Sequence, residues 1–75
     1  MLPTAEKSKL LVQFGQNIGH ERRKLGISQE KLAEFAGLHR TYIGMIERGE
    51  KNITLLNINN IARGLGLNLI DLFKF

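Results

Sequence analysis

Arg40 and Thr41 stand side by side ahead of an apolar-periodic stretch, and together they carry the groups that read the edge of a base pair. A guanidinium can donate two parallel hydrogen bonds to the O6 and N7 acceptors of guanine, and a threonine offers a hydroxyl to a base or a methyl to thymine. His39 precedes them; its ring could touch a base edge or a phosphate, or stand as an exposed cap with no contact. Gly44 and Met45 follow, with Met45 able either to meet a thymine methyl or to pack inward. Gln29, Arg48, Lys51 and Asn52 carry donors suited to phosphate oxygens, contacts that fix position without reading sequence. For Gln29 the alternative is local capping. This is the chemistry of recognition rather than of bond making. There is no cysteine, no paired carboxylate in a catalytic setting, no phosphate-cradling glycine loop, and too short a chain to enclose a typical pocket. No enzyme activity, cofactor, metal or small-molecule ligand is therefore expected, and the two histidines, His20 and His39, lack ligand-like spacing.

Such side chains face a duplex together only if a helix turns them outward. Ile43, Ile46 and Glu47 recur at steps of three and four residues, which puts them on one inward face. Arg40, Thr41, Gly44, Met45 and Arg48 are then left outward or on the flanks, as a helix in the major groove requires. Upstream, Leu32, Ala33 and Phe35 repeat at helical spacing after Ser28, which can cap a helix, while Glu30 lies in the first turn, where a negative charge suits the helix dipole. Gly37 can take the left-handed conformation of a sharp bend, and Ala33 is small enough for the second helix to approach. The stretch 28–49, SQEKLAEFAGLHRTYIGMIERG, reads as a helix-turn-helix.

Gln29-Glu30-x-Leu32-Ala33, Gly37-Leu38 and Thr41-Tyr42-Ile43-x-x-Ile46-Glu47-Arg48-Gly49 resemble the helix-turn-helix of the Cro and phage-repressor superfamily, also called the xenobiotic-response-element type, over nearly the whole chain. Within it, His39 to Ile43 and Glu47 to Thr54 are most similar to the controller proteins of restriction-modification systems. The resemblance implies a compact lambda-repressor-like domain that binds double-stranded DNA. It also implies an ion pair between an arginine of the first helix and a glutamate of the third, here Arg22 and Glu47. Tyr42 would pack by its ring and offer its hydroxyl to phosphate. Lys51 would stand where controller proteins carry a basic residue, near phosphate, the minor groove or a base. Alternative roles are a phage-type or chromosomal Cro-like repressor, the antidote of a toxin-antitoxin pair, which usually carries an extra toxin-binding segment, and a protein-interaction module that keeps the shape without DNA.

The remaining residues supply the frame. Residues 1–5, with Pro3 and Thr4 approaching a helix, are expected to fray. From Glu6 to Leu25 the apolar residues Leu11, Phe14, Ile18 and Leu25 share one face, and Gly26 ends that helix. Gly15 and Gly19 weaken it slightly. Arg22 falls on the same inward stripe and needs a carboxylate; Glu47 is the best placed, against the reading of two unrelated surface charges. Lys7, Lys9, Arg23, Lys24 and Arg63 read as solvated charges. Thr54 caps a fourth helix from Leu55 to about Leu65, with Leu55, Ile58, Ile61, Ala62 and Leu65 buried, and Gly66 ends it. Asn68 and Asp71 resemble a capping pair for a last short helix, Leu69 to Phe73.

The tail from about residue 66 to 75 is dense in large apolar groups, which predicts a homodimer interface at Leu69, Leu72 and Phe73, with Leu67 and Ile70 in the protomer core. A dimer would match an inverted-repeat operator. The expectation is thus a single all-α domain over residues 1–75, built of five helices. Eleven basic against seven acidic residues give a net charge of +4, compatible with nucleic acid but not diagnostic of it. A chain this size buries only about 60% of its unfolded surface. With no long apolar run and no signal-like leader, a cytoplasmic protein without membrane association is expected.

Overall fold

Twenty-one residues, Thr4–Lys24, form α1, which starts ahead of Glu6, where the apolar stripe would begin it. The computed structural model describes residues 4–75, with side chains from residue 9 onward. Of residues 1–5, expected to fray, Thr4 and Ala5 are instead the first helical residues of α1, while residues 1–3 and the solvated side chain of Lys7 lie outside the described residues. Ser28 Oγ accepts from the Lys31 backbone N–H at 3.0 Å and opens α2 (Gln29–Ala36). Gly37, at φ +69°, closes it, and the Leu38 N–H turns back to the Ala33 carbonyl at 2.9 Å. His39 opens α3 (Arg40–Glu47), and Thr54 opens α4 (Leu55–Gly64) by accepting from the Asn57 N–H at 3.2 Å. The expected fifth α-helix is instead a 3₁₀ helix, Leu69–Phe73, in which the Asp71 carboxylate accepts from the Asn68 N–H at 3.0 Å. Among the described residues the chain is thus four α-helices and a 3₁₀ helix, with no strand.

Ile18, Leu32, Ile43, Ile46, Ile61 and Leu72 are fully buried, so every element contributes at least one large side chain to a single core. Each contributes on the order of 1.5–3 kcal/mol by leaving water. α2 packs on both α3 and α4, α1 on α3, and the 3₁₀ helix closes over α4 and α1. Asn17 Nδ2 ties that last segment down by donating to the Leu72 carbonyl at 2.8 Å. Gly15 does more than weaken α1. A Cβ there would lie 2.8 Å from the Glu47 carbonyl oxygen, so α1 and α3 cross backbone against backbone.

Several apolar residues face the other way from expectation. Leu25 is exposed because α1 stops at Lys24 and the stripe ends with it. Leu55 and Phe35 are also exposed, Leu55 in the first turn of α4 and Phe35 beneath the Lys31 ammonium, 5.6 Å from its ring centroid. In the tail the assignments of Leu72 and Ile70 reverse: Leu72 is 0% exposed and Ile70 68%. A 3₁₀ helix repeats every three residues, which pairs Leu69 with Leu72 on one side and Ile70 with Phe73 on the other. Leu72 is therefore core and not interface. Leu69 is half-buried, Leu67 packs partly buried against the core, and Phe73 is exposed with its ring centroid 5.2 Å from that of Phe14.

Candidate nucleic-acid interface

The position of α3 is fixed from its inner face. Arg22 Nε donates to Glu47 Oε2 at 2.7 Å and Nη2 to Glu47 Oε1 at 3.1 Å, a two-point pair whose side chains are 13% and 8% exposed. The third nitrogen, Nη1, donates to the Ile27 carbonyl at 2.9 Å, and Gln29 Nε2 donates to Glu47 Oε1 at 3.1 Å. A charge pair removed from water this far is tolerable only when its remaining donors and acceptors are met, as they are here. The network joins α1, the loop before α2, the start of α2 and the end of α3. It also commits the Gln29 amide inward, so a phosphate held at this end of α2 would meet backbone N–H groups rather than that amide.

The outer face carries Arg40 and Thr41, both exposed on the first turn, with Met45 half-buried one turn on. Arg40 Nη1 reaches Glu30 Oε2 at 3.0 Å, leaving the rest of its fork open. An open cleft lined by Arg22, Ser28, Gln29, Glu30 and Arg40 runs between the starts of α2 and α3. His39 is the exposed N-cap of α3, one of its two expected readings, and its Nδ1 accepts from the Thr41 N–H at 3.0 Å. That fixes Nε2 as the outward nitrogen, a donor in the neutral ring. Gly44 does not reach the outer surface. It is buried, and a Cβ on it would stand 3.2 Å from Arg48 Nη1 and 3.5 Å from Gln29 Oε1, so contrary to expectation Gly44 is not placed to contact a base. Helical spacing puts it on the flank, but without a side chain the neighbours close over it.

Backbone-type donors gather at the ends of α3. Tyr42 is half-buried by its ring, and its hydroxyl accepts from Asn57 Nδ2 at 3.3 Å. Asn57 is a member the sequence reading missed, since nothing local links it to a tyrosine fifteen positions earlier. Arg48, after the last turn, pairs with Glu50, which raises the arginine pKa and lowers that of the glutamate, chiefly through their mutual hydrogen bond. Lys51 and Asn52 are exposed in the irregular segment before α4. The candidate interface thus gathers His39, Arg40 and Thr41 at the start of α3 and Met45 one turn on, with Tyr42, Asn57, Arg48, Lys51 and Asn52 around them.

A short helix locked from within to α1, presenting arginines outward beyond a glycine turn from its support, defines a DNA-binding regulator of the helix-turn-helix class. The chain belongs to the helix-turn-helix family, whose model matches residues 18–72. It is 49% identical to control protein C.BamHI of Bacillus amyloliquefaciens over 63 residues, 83% of this chain and 78% of that protein. It is 44% identical to control protein C.SmaI of Serratia marcescens over 56 residues, 75% of this chain and 67% of the relative. Its structure is similar to the crystal structure of the restriction-modification controller protein C.AhdI from Aeromonas hydrophila, with a TM-score of 0.83 and 44% identity, covering 84% of this chain and 96% of that one. No helix among the described residues is long and apolar enough to cross a membrane.

Proposed function

We propose that this regulator is the controller of a restriction-modification system, a homodimer that reads an inverted-repeat operator in duplex DNA. The observation that carries the DNA-reading part is the outward face of α3, where Arg40, Thr41 and Arg48 stand exposed while Glu47 is held inward by Arg22. A recognition face bearing acids or large apolar groups would favour a protein-binding module, and this one bears two guanidinium groups, their carboxylate partners Glu30 and Glu50 standing outside α3. The controller role rests on similarity to proteins so named. Arg40 and Thr41 are the base readers, with His39 and Met45 beside them. Tyr42, Arg48, Lys51 and Asn52 hold phosphates, as do the first N–H groups of α2 beside Gln29.

Dimerisation fits the dimensions. A protomer measures 34 × 24 × 21 Å, and two of them related by a two-fold axis can set their α3 helices about 34 Å apart, one turn of B-DNA. One surface available for it is the outward side of the 3₁₀ helix and tail, where Ile70, Phe73 and Phe75 remain exposed. If such a dimer makes roughly eight phosphate contacts, log affinity should fall with log salt at a slope of about −7. A mobility-shift titration over salt, using a duplex selected from random sequence, reads this slope. A nearly flat response, or no preferred sequence, would transfer support to the protein-binding module. An operator upstream of restriction and modification genes would separate the controller from a phage-type repressor.

A further inference from the structure

Arg48 follows the last turn of α3, and Glu50 takes the Nε–Nη2 edge of its guanidinium at two points, Nε to Oε2 at 2.8 Å and Nη2 to Oε1 at 3.2 Å, the edge best shaped for a two-point bond to phosphate. Both side chains are largely exposed, and an exposed pair of this kind adds little to fold stability. Stability thus does not account for a carboxylate set against an arginine at the edge of the recognition face. Arg40 is different: it meets Glu30 through one contact at 3.0 Å and keeps most of its fork free. With both groups charged, the Arg48–Glu50 unit presents no net charge to a duplex at a distance.

We infer that Glu50 is a specificity-determining residue, a guard that competes with DNA phosphates for the Arg48 guanidinium and so weakens binding to random DNA more than binding to the operator. The inference rests on the DNA-reading function above. In a loosely held complex, phosphates and side chains are separated by water, and a carboxylate two residues away is always present at high effective concentration. It therefore keeps the arginine. Once α3 is seated in a matching groove, a phosphate stands at contact distance and can replace the carboxylate with an equally good two-point hydrogen bond. Glu50 lies in the segment without regular structure that links α3 to α4, so its side chain can swing away without disturbing a helix. The exchange is possible only where docking is close, and docking is close only on the right sequence.

The test compares the full chain as wild type, Glu50→Gln and the charge-matched control Glu34→Gln. Glu34 is exposed on α2, and its partner is Lys31, which is not among the recognition residues. Fluorescence anisotropy over a salt series measures binding to the selected operator and to a scrambled duplex of the same composition. Glu50→Gln should raise scrambled-duplex affinity roughly tenfold in the dimer, about threefold per guard, the size of an exposed ion pair. Operator affinity should rise less, and the salt slope on scrambled DNA should steepen by about 0.9 per protomer as Arg48 joins the phosphate contacts. The guard is overturned if Glu50→Gln moves both duplexes by the same factor as Glu34→Gln. It is also overturned if operator binding falls more than scrambled binding, since Glu50 would then position Arg48 for its contact. Wild type alone reads the DNA-binding function: no preference there removes both, whereas a clear preference with an unmoved Glu50→Gln ratio removes only the guard.

Discussion

Arg40 opens α3 exposed to solvent and Glu47 ends it nearly dry, and their substitutions should fail in opposite ways. Arg40→Ala should cost about 1–3 kcal/mol at the operator and relax preference at one base pair, leaving the melting curve unchanged. Equal loss on operator and random DNA would make Arg40 a phosphate ligand instead. Glu47→Ala leaves Arg22 and Gln29 without their shared acceptor in a nearly dry site, so a denaturant melt should show a loss of about 3 kcal/mol. The double change Arg22→Met with Glu47→Leu should recover much of it; a Glu47→Ala melt matching wild type would show that the pair carries no stability. Both residues could be named from the chain alone, because a charge on an apolar stripe demands a partner. Gln29, His39 and Gly44 were harder to read. Their outcomes depend on which neighbour reaches them first, and spacing does not report that.

The elements divide by how local their causes are. The helix-turn-helix was legible because Ser28, Gly37 and the apolar steps within 28–49 act within a turn or two of where they stand. The ends of α1 and α4 were less so, since a stripe shows which side of a helix is apolar but not where the core stops. This is why Leu25 and Leu55 were misplaced. The 3₁₀ helix is the sharpest case: over five residues, periods of 3.0 and 3.6 are nearly indistinguishable in sequence yet bury different side chains. Its closure also predicts a pH dependence. Hydrogen bonds from Lys74 and the Asn68 backbone hold the Asp71 carboxyl below its ordinary range. A lowered folded-state pKa means a contribution that is present above the unfolded carboxylate value and lost as pH falls through the folded one. The stability gap between wild type and Asp71→Asn should therefore narrow on acidification through that range. A gap independent of pH would mean the carboxylate charge plays no part.

For the molecule as a whole, the reversal in the tail changes which substitution can test the dimer. Leu72→Glu would put a charge into the core and unfold the protomer, whereas Phe73→Glu or Ile70→Glu alters exposed positions. Either should give a folded monomer by sedimentation that binds an inverted repeat far more weakly than wild type. Monomeric wild type at tens of micromolar, together with undiminished operator binding by Phe73→Glu, would refute the dimer. The crossing of α1 and α3 at Gly15 has a further consequence, for how such a protein can change over generations. With the two backbones in contact there and the Arg22–Glu47 pair beyond, any tilt or slide of α3 would disturb both. If the protein reads an operator as proposed, a lineage following a drifting site can do so by exchanging outward side chains such as Arg40 and Thr41. Those positions touch nothing in the core, so new binding preferences can be tried one residue at a time on an unaltered frame.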